Sequence, residues 1–376
     1  MQGYYRFPSI YKDQLIFISE DNIWTINLND HTARRLTNNI GPIISPRLSP
    51  NGKWIAYVGT EDGNTEIYVM PSSGGISKRL TFDGAFISKV ATWKGDDIIY
   101  TSDLGQHCMR ICDLRSVNLK GGESHPLNFG IASNISYSKY GTVLGRNTHD
   151  SARWKRYKGG TAGELWIDKN NSNDYNKLIN LNGNMACPMY IENRIYFLSD
   201  HDGIANIYSC LSTGKSLKKH TFHKNYYARN ATTDGQSIVY HCGSDIYHLD
   251  ISTDNNKQIE IIYNSGFENK TRKFSLTSEY LESFSLNNEG NYINIISRGK
   301  PFTMGNWSGP VYQHGKLQGV RYKHIETLTD DNKVIVCTDE GNKERLEVYN
   351  LNSKRLSKRL NVNIGRPISM PCNYRM

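Results

Sequence analysis

An all-β chain assembled from propeller blades is what this sequence predicts, and three observations carry the prediction. A pattern of strand, turn and aromatic strand recurs eight times, successive copies start 39 to 55 residues apart, and no stretch shows a sustained helical stripe. A repeat of about 40–45 residues makes one small four-stranded sheet that cannot bury both of its faces alone, so such units pack face to face around an axis.

The elements follow in order. The most apolar strand of the units is Leu15–Ser19, Trp54–Val58, Ile98–Ser102, Thr142–Arg146, Ile195–Ser199, Ile238–Cys242, Ile293–Ser297 and Val334–Thr338. These runs are short, β-branched and aromatic, unlike the longer stripe of an amphipathic helix. A turn comes next, as in Glu61-Asp62-Gly63-Asn64, Asp103-Leu104-Gly105, Asp200-His201-Asp202-Gly203 and Asp339-Glu340-Gly341-Asn342. Its residue types supply the positive φ angles and side-chain-to-backbone hydrogen bonds that tight reversals need. An aromatic strand then returns: Ile23–Ile26, Ile67–Val69, Leu165–Ile167, Ile207–Ser209, Ile246–His248 and Leu346–Tyr349. Each unit reads as an antiparallel meander, and a count of 24 tyrosines is the compositional mark of such strands rather than of a binding site.

Charge and composition exclude several function classes. The net charge of +9, from 45 Lys+Arg against 36 Asp+Glu, is scattered and not gathered into blocks, so no nucleic-acid partner is predicted. No apolar run approaches a membrane span, and Met1–Pro8 lacks the basic start and apolar stretch of a secretory signal. The seven cysteines have no zinc-type spacing and read as reduced, mostly packed thiols, which suits a cytoplasmic protein without a membrane partner.

The fourth unit carries a more specific pattern. Gly145-Arg146-Asn147-Thr148, followed by Arg153-Trp154-Lys155-Arg156-Tyr157-Lys158 and Gly159-Gly160-Thr161-Ala162-Gly163-Glu164-Leu165-Trp166-Ile167, resembles the fourth blade of the amino-terminal propeller of tricorn-type proteases. Arg194–Gly203, Lys219-His220-Thr221, Tyr226–Asn230 and Thr233-Asp234-Gly235 continue the resemblance in blade order, and it runs from about Tyr4 into the 350s. The resemblance implies a six-bladed β-propeller over 1–270 and, over 271–376, the first two blades of a second propeller left incomplete. It also implies a serine peptidase that degrades oligopeptides, whose catalytic region this chain does not encode. The chain alone is therefore expected to be inactive, guiding peptides to or from a chamber supplied by the catalytic part.

No catalytic residue is assigned. No Gly-x-Ser-x-Gly elbow occurs, and Ser, His and Asp read as turn and strand-end residues. No metal ligand or cofactor site is assigned either. Asp200-His201-Asp202-Gly203 groups carboxylates with a histidine, but the same place in other units is the repeating turn, and the alternating oxygen ligands of a calcium loop are missing. Gly159–Gly163 lacks the Gly-Lys-Ser/Thr ending of a phosphate cradle and precedes a strand, so it reads as glycine that lets the long connection fold against neighbouring backbone.

The long connection of the fourth unit holds the candidate site residues Arg146, Arg153, Trp154, Lys155, Arg156 and Tyr157. Cations with aromatic rings can hold a peptide carboxylate and cover apolar side chains, or they can dock another domain. In the family, an adjacent arginine pair on an earlier loop anchors the substrate's carboxyl end. The corresponding stretch here, Phe82–Val90, is shorter and has no such pair, with Lys89 a weak substitute. The expected partners are oligopeptides or the catalytic part of a tricorn-type enzyme, with a homo-oligomer compatible. A stand-alone interaction propeller with repeats like those of the periplasmic Tol system, and a non-functional gene fragment, are the alternatives.

Overall fold

Alternation of apolar side chains along the second strand of each repeat organises the fold. In Gln14–Ser19, Leu15 and Phe17 join one core and Ile16 and Ile18 another, as the two-residue period of a strand requires. A sheet that is apolar on both faces needs a neighbour on each side. The computed structural model describes residues 3–108, 111–151, 155–267, 276–329, 332–351 and 355–362. Among them are eight four-stranded antiparallel sheets, each built from four consecutive strands. The chain belongs to the all-β propeller class and divides into two compact units, Met1–Lys270 with six of these sheets and Thr271–Met376 with two.

In the first unit every interface between sheets is a core of the same design. Ile16 and Ile18 pack with Ile55 and Tyr57, and Ala56 and Val58 with Ile98 and Tyr100. Ile99 packs with Ile135 and Leu144, and Val143 with Ile195 and Phe197. Tyr196 and Leu198 then pack with Ile238 and Tyr240. Finally Val239 packs with Leu15 and Phe17, which brings the sixth sheet onto the first and closes a ring.

Closure exchanges no strand between the two sheets. It adds hydrogen bonds to the apolar core: the Ala33 N–H donates to the Ile262 carbonyl and the Ile262 N–H to the His31 carbonyl, both at 3.0 Å, around a parallel bridge between Thr32 and Ile262. The Thr232 hydroxyl donates to the Pro8 carbonyl at 3.1 Å, and the Lys12 N–H to Asp234 Oδ2 at 3.0 Å.

The outermost strands are short and charged, as in Arg34–Arg35, Lys78–Arg79, Asn176–Lys177 and Lys218–Lys219. Charge on an edge strand deters pairing with another chain, and this placement accounts for basic residues being spread along the sequence. A threonine then pins the chain as it leaves three of these edges. Thr37, Thr81 and Thr221 accept the N–H of Ile23, Ile67 and Ile207, each at 2.9 Å. Their hydroxyls donate to Asn22 at 3.0 Å, Glu66 at 2.5 Å and Asn206 at 2.9 Å, and those acceptors in turn take the N–H of Asn39, Gly84 and His223. The threonine that ends Arg35-Leu36-Thr37, Arg79-Leu80-Thr81 and Lys219-His220-Thr221 is thus a clamp on the connection to the next sheet.

In the second unit the two sheets share a core of Ile296, Tyr322, Ile325, Val334 and Val336. Asn294 adds a buried hydrogen bond from Nδ2 to Thr327 Oγ1 at 2.7 Å. Leu281, Phe284 and Leu286, all on the strand Leu281–Leu286, are exposed.

Candidate functional site

The innermost strands of the first unit do not run straight. Pairing with the second strand slips at Phe7, Ser45, Cys187 and Asn230, where φ is 50°, 47°, 51° and 51°. A left-handed backbone at a residue with a side chain costs roughly 1–2 kcal/mol, and its return is a re-aimed strand. The Ser45 hydroxyl, for example, accepts the Val90 N–H of the neighbouring innermost strand at 3.1 Å. Proline follows the bulged residue in Phe7-Pro8, Ser45-Pro46 and Cys187-Pro188.

The bulges surround an axial cavity of about 320 Å³ to which all six sheets contribute, through Phe7, Arg47, Lys89, Asn134, Cys187 and Asn230. Thr148–Ser151, the start of the long connection between Gly141–Arg146 and Glu164–Asp168, also lines it. Asp150 is the carboxylate there. Its Oδ2 accepts the Asn230 N–H and the Cys187 thiol, and Arg229 Nη1 stands 3.5 Å from Oδ1. Lys89 Nζ donates to the Asp150 carbonyl at 3.4 Å. Burial pushes the Asp150 carboxyl above the usual carboxylate range, against the Asn230 N–H and the Arg229 charge. Burial also pushes the Arg47 guanidinium below its ordinary value, against the attraction of Cys187 and Asp150.

Arg153 and Trp154 lie outside the described residues. The Arg156 N–H donates to Asp200 Oδ2 at 2.8 Å, and Lys155 Nζ sits 5.0 Å from the centre of the Tyr227 ring. Lys155 also lines a groove of about 580 Å³ with Tyr4, His223, Tyr226, Tyr227 and Arg229. Tyr157 takes a hydrogen bond from Thr161 at 3.3 Å, within the connection itself. Arg146 is committed elsewhere: it donates to the carbonyls of Ile131 at 3.1 Å and Phe129 at 3.2 Å, and lies 5.3 Å from the Trp166 ring centre. Gly163 ends the connection where a Cβ would stand 2.1 Å from the Met185 carbonyl oxygen, so close backbone approach is what the glycine serves.

Ser, His and Asp are not confined to turns and strand ends, which corrects the sequence expectation. Ser209, inside the strand Asn206–Leu211, stands 2.7 Å from His220 Nε2, and His220 Nδ1 stands 2.5 Å from Asp254 Oδ1. The spacing imitates a hydrolase triad, but Ser209 is fully buried and its hydroxyl oxygen accepts Arg194 Nε at 2.9 Å. The second unit repeats the hydroxyl–imidazole pair at the same separation of 11 residues, with Thr303 2.8 Å from His314 Nε2. The pair is therefore a way of bonding the third strand to the residue beyond the fourth. Burial holds the His220 imidazole below its ordinary value, against the pull of Asp254.

The turn Asp200–Gly203 sends its side chains in different directions. Asp200 caps the N–H groups of Asn184 and Arg156, each at 2.8 Å, His201 Nδ1 meets Ser199 at 3.0 Å, and Asp202 accepts Lys219 at 2.6 Å. The six described cysteines are free thiols, five of them buried. None of the helices among the described residues is long and apolar enough to cross a membrane.

Fold and site together define a β-propeller protein whose charged groups converge on the axis of a closed ring. The profile of the tricorn protease N-terminal β-propeller domain matches residues 2–255, and the chain belongs to that family. It is 36% identical over 359 residues to the tricorn protease homolog of Saccharolobus solfataricus, covering 92% of this chain and 33% of that protein. It is 35% identical over 179 residues to a protein of Sulfurisphaera tokodaii named as a Tricorn-like protease N-terminal subunit, covering 46% of this chain and 91% of that protein. A crystal structure of the tricorn protease superposes with a TM-score of 0.78 at 29% identity, covering 97% of this chain and 36% of that one. The chain thus spans about a third of the length of the S. solfataricus and crystallised proteins.

Proposed function

We propose that this chain is the propeller portion of a tricorn-type serine peptidase and guides oligopeptides to or from a catalytic chamber formed by other residues. The observation that carries the reading is the convergence of all six innermost strands of the first unit on one axial cavity, in a chain of this family. In this reading residues 1–270 are a six-bladed propeller and 271–376 the first two blades of a second. The exposed Leu281, Phe284 and Leu286 would then be covered by further blades. The cytoplasm is the expected compartment. The partner is the catalytic part of the enzyme, and Lys155, Arg156 and Tyr157 form the docking or peptide-binding face; the sequence adds Arg153 and Trp154 as candidates, which lie outside the described residues. Arg146 stands apart from that face, held by the carbonyls of Phe129 and Ile131.

The test combines activity with assembly. The purified chain is assayed against unblocked oligopeptides alone and after mixing with the remaining part of a tricorn-type enzyme. The expected result is no turnover alone and a stable complex on mixing. Lys155→Ala and Arg156→Ala should weaken that complex while leaving stability within about 0.5 kcal/mol of the parent. Turnover by the chain alone, or failure of the two parts to associate, would overturn the reading.

A further inference from the structure

The axial cavity holds more positive charge than the protein neutralises. Arg47 and Lys89 line it, and Arg229 reaches the same carboxylate from the sixth sheet. Against these three cations stands Asp150, whose carboxylate is turned toward Asn230, Cys187 and Arg229. Arg47 is the informative residue. Its Nε is buried without a hydrogen-bond partner, and among the described residues its guanidinium forms no ion pair. The residue as a whole is half-buried and only its Nε is fully shielded; a shielded donor without an acceptor is costly, and a planar fork of donors is shaped for two oxygens of one anion. The cavity, at about 320 Å³, falls within the range of small-ligand sites, with Phe7, Pro46 and Val90 as apolar wall.

We propose that the axial cavity is a binding site for a small molecule with a terminal oxyanion, a carboxylate or a phosphate, held by the Arg47 guanidinium with Lys89 as the second cation. Lys89 has donors to spare, since an ammonium carries three and the Asp150 carbonyl takes one. Asp150 is a like charge next to the bound anion and weakens it, so the site is tuned by the start of the long connection. The inference concerns the same axial cavity as the peptide-passage reading but is tested separately, because saturable binding in the first unit needs no catalytic partner.

Calorimetric titration of the full chain at fixed ionic strength tests it, with N-acetylglycine, its neutral amide N-acetylglycinamide, and inorganic phosphate as probes. The expected result is one anion per chain, no binding of the amide, at least tenfold weaker binding in Arg47→Gln, and severalfold tighter binding in Asp150→Asn. Preference for N-acetylglycine identifies a carboxylate ligand, and preference for phosphate a phosphorylated one; either supports the site. Absence of saturable anion binding, equal binding of the amide, or unchanged affinity in folded Arg47→Gln overturns it. If Arg47→Gln does not fold, Asp150→Asn decides: no tightening puts the anion elsewhere and overturns the proposal.

Discussion

The Thr81 hydroxyl donates a 2.5 Å hydrogen bond to the Glu66 carboxylate, which is 1% exposed and also accepts Arg79 Nη2 at 3.0 Å and the Gly84 N–H at 2.9 Å. Removing one partner of such a set leaves the others buried and unmatched. Glu66→Ala should therefore lose about 3–5 kcal/mol in urea denaturation at neutral pH. Glu66→Gln keeps an acceptor, as Asn22 and Asn206 do at the same place in the first and fifth sheets, and should lose less than half as much. Equal losses would show that the clamp is not what holds this connection.

Phe17 and Phe197 occupy equivalent positions in the first and fifth sheets, and both are fully buried. Phe17 belongs to the core that closes the ring, Phe197 to the core between the fourth and fifth sheets. Each change to Ala should remove about 3–5 kcal/mol. Similar losses are expected because the seam is packed like the other interfaces. A much smaller loss for Phe17→Ala would mean a loosely closed ring.

His241 gives the first unit a sensitivity to acid. Its imidazole is 4% exposed and lies near Arg229 and Arg6, and burial followed by those charges pushes its pKa down to about 4. The unfolded chain takes up this proton near pH 6.5 and the folded chain only near 4, so the unfolded state binds more protons in between. Stability from this group is complete above pH 6.5 and falls as pH drops toward 4, by about 3 kcal/mol in all. His201, His220, His223 and His248 are lowered by burial in the same sense. Denaturation curves between pH 7 and 4.5 should show a smaller drop for His241→Gln than for the parent; an identical drop would remove His241 from the account.

Ser209 should be chemically silent. A serine-reactive fluorophosphonate is expected to leave no adduct on it in the native chain by peptide mass spectrometry, since the hydroxyl is fully buried and shared between His220 and Arg194. Ser209→Ala should instead cost about 1–3 kcal/mol of stability by leaving Arg194 Nε and His220 Nε2 without their partner. A Ser209 adduct would make the Ser209–His220–Asp254 set a reactive one.

Much of the ring could be read from Leu15–Ser19 and its seven counterparts, because two-sided apolar alternation dictates a neighbour on each face. The axial site could not. Arg47, Lys89, Cys187 and Asn230 come from four different sheets and Asp150 from a connection within a fifth, and closure alone brings them together. A signal existed in Phe7-Pro8, Ser45-Pro46 and Cys187-Pro188, where proline recurs in an innermost strand and marks a bulge. The connection after Arg146 was visible as an insertion, yet its inward end, at Asp150, carries no aromatic or basic cluster to draw notice. The Ser209–His220 pair was hidden differently: its 11-residue spacing is local, whereas Asp254 arrives from the sixth sheet.

Because the seam between the sixth and first sheets is made of side chains and a few loop hydrogen bonds, with no strand shared across it, the ends of the first unit carry no topological duty. Each sheet is a self-contained paragraph of sequence. Breaking the backbone between two sheets would sever a tether and leave all six cores able to re-form, at the concentration-dependent expense of bringing two pieces together. An architecture of this kind can be inherited in instalments, as separately translated segments that reassemble, without inventing any new contact.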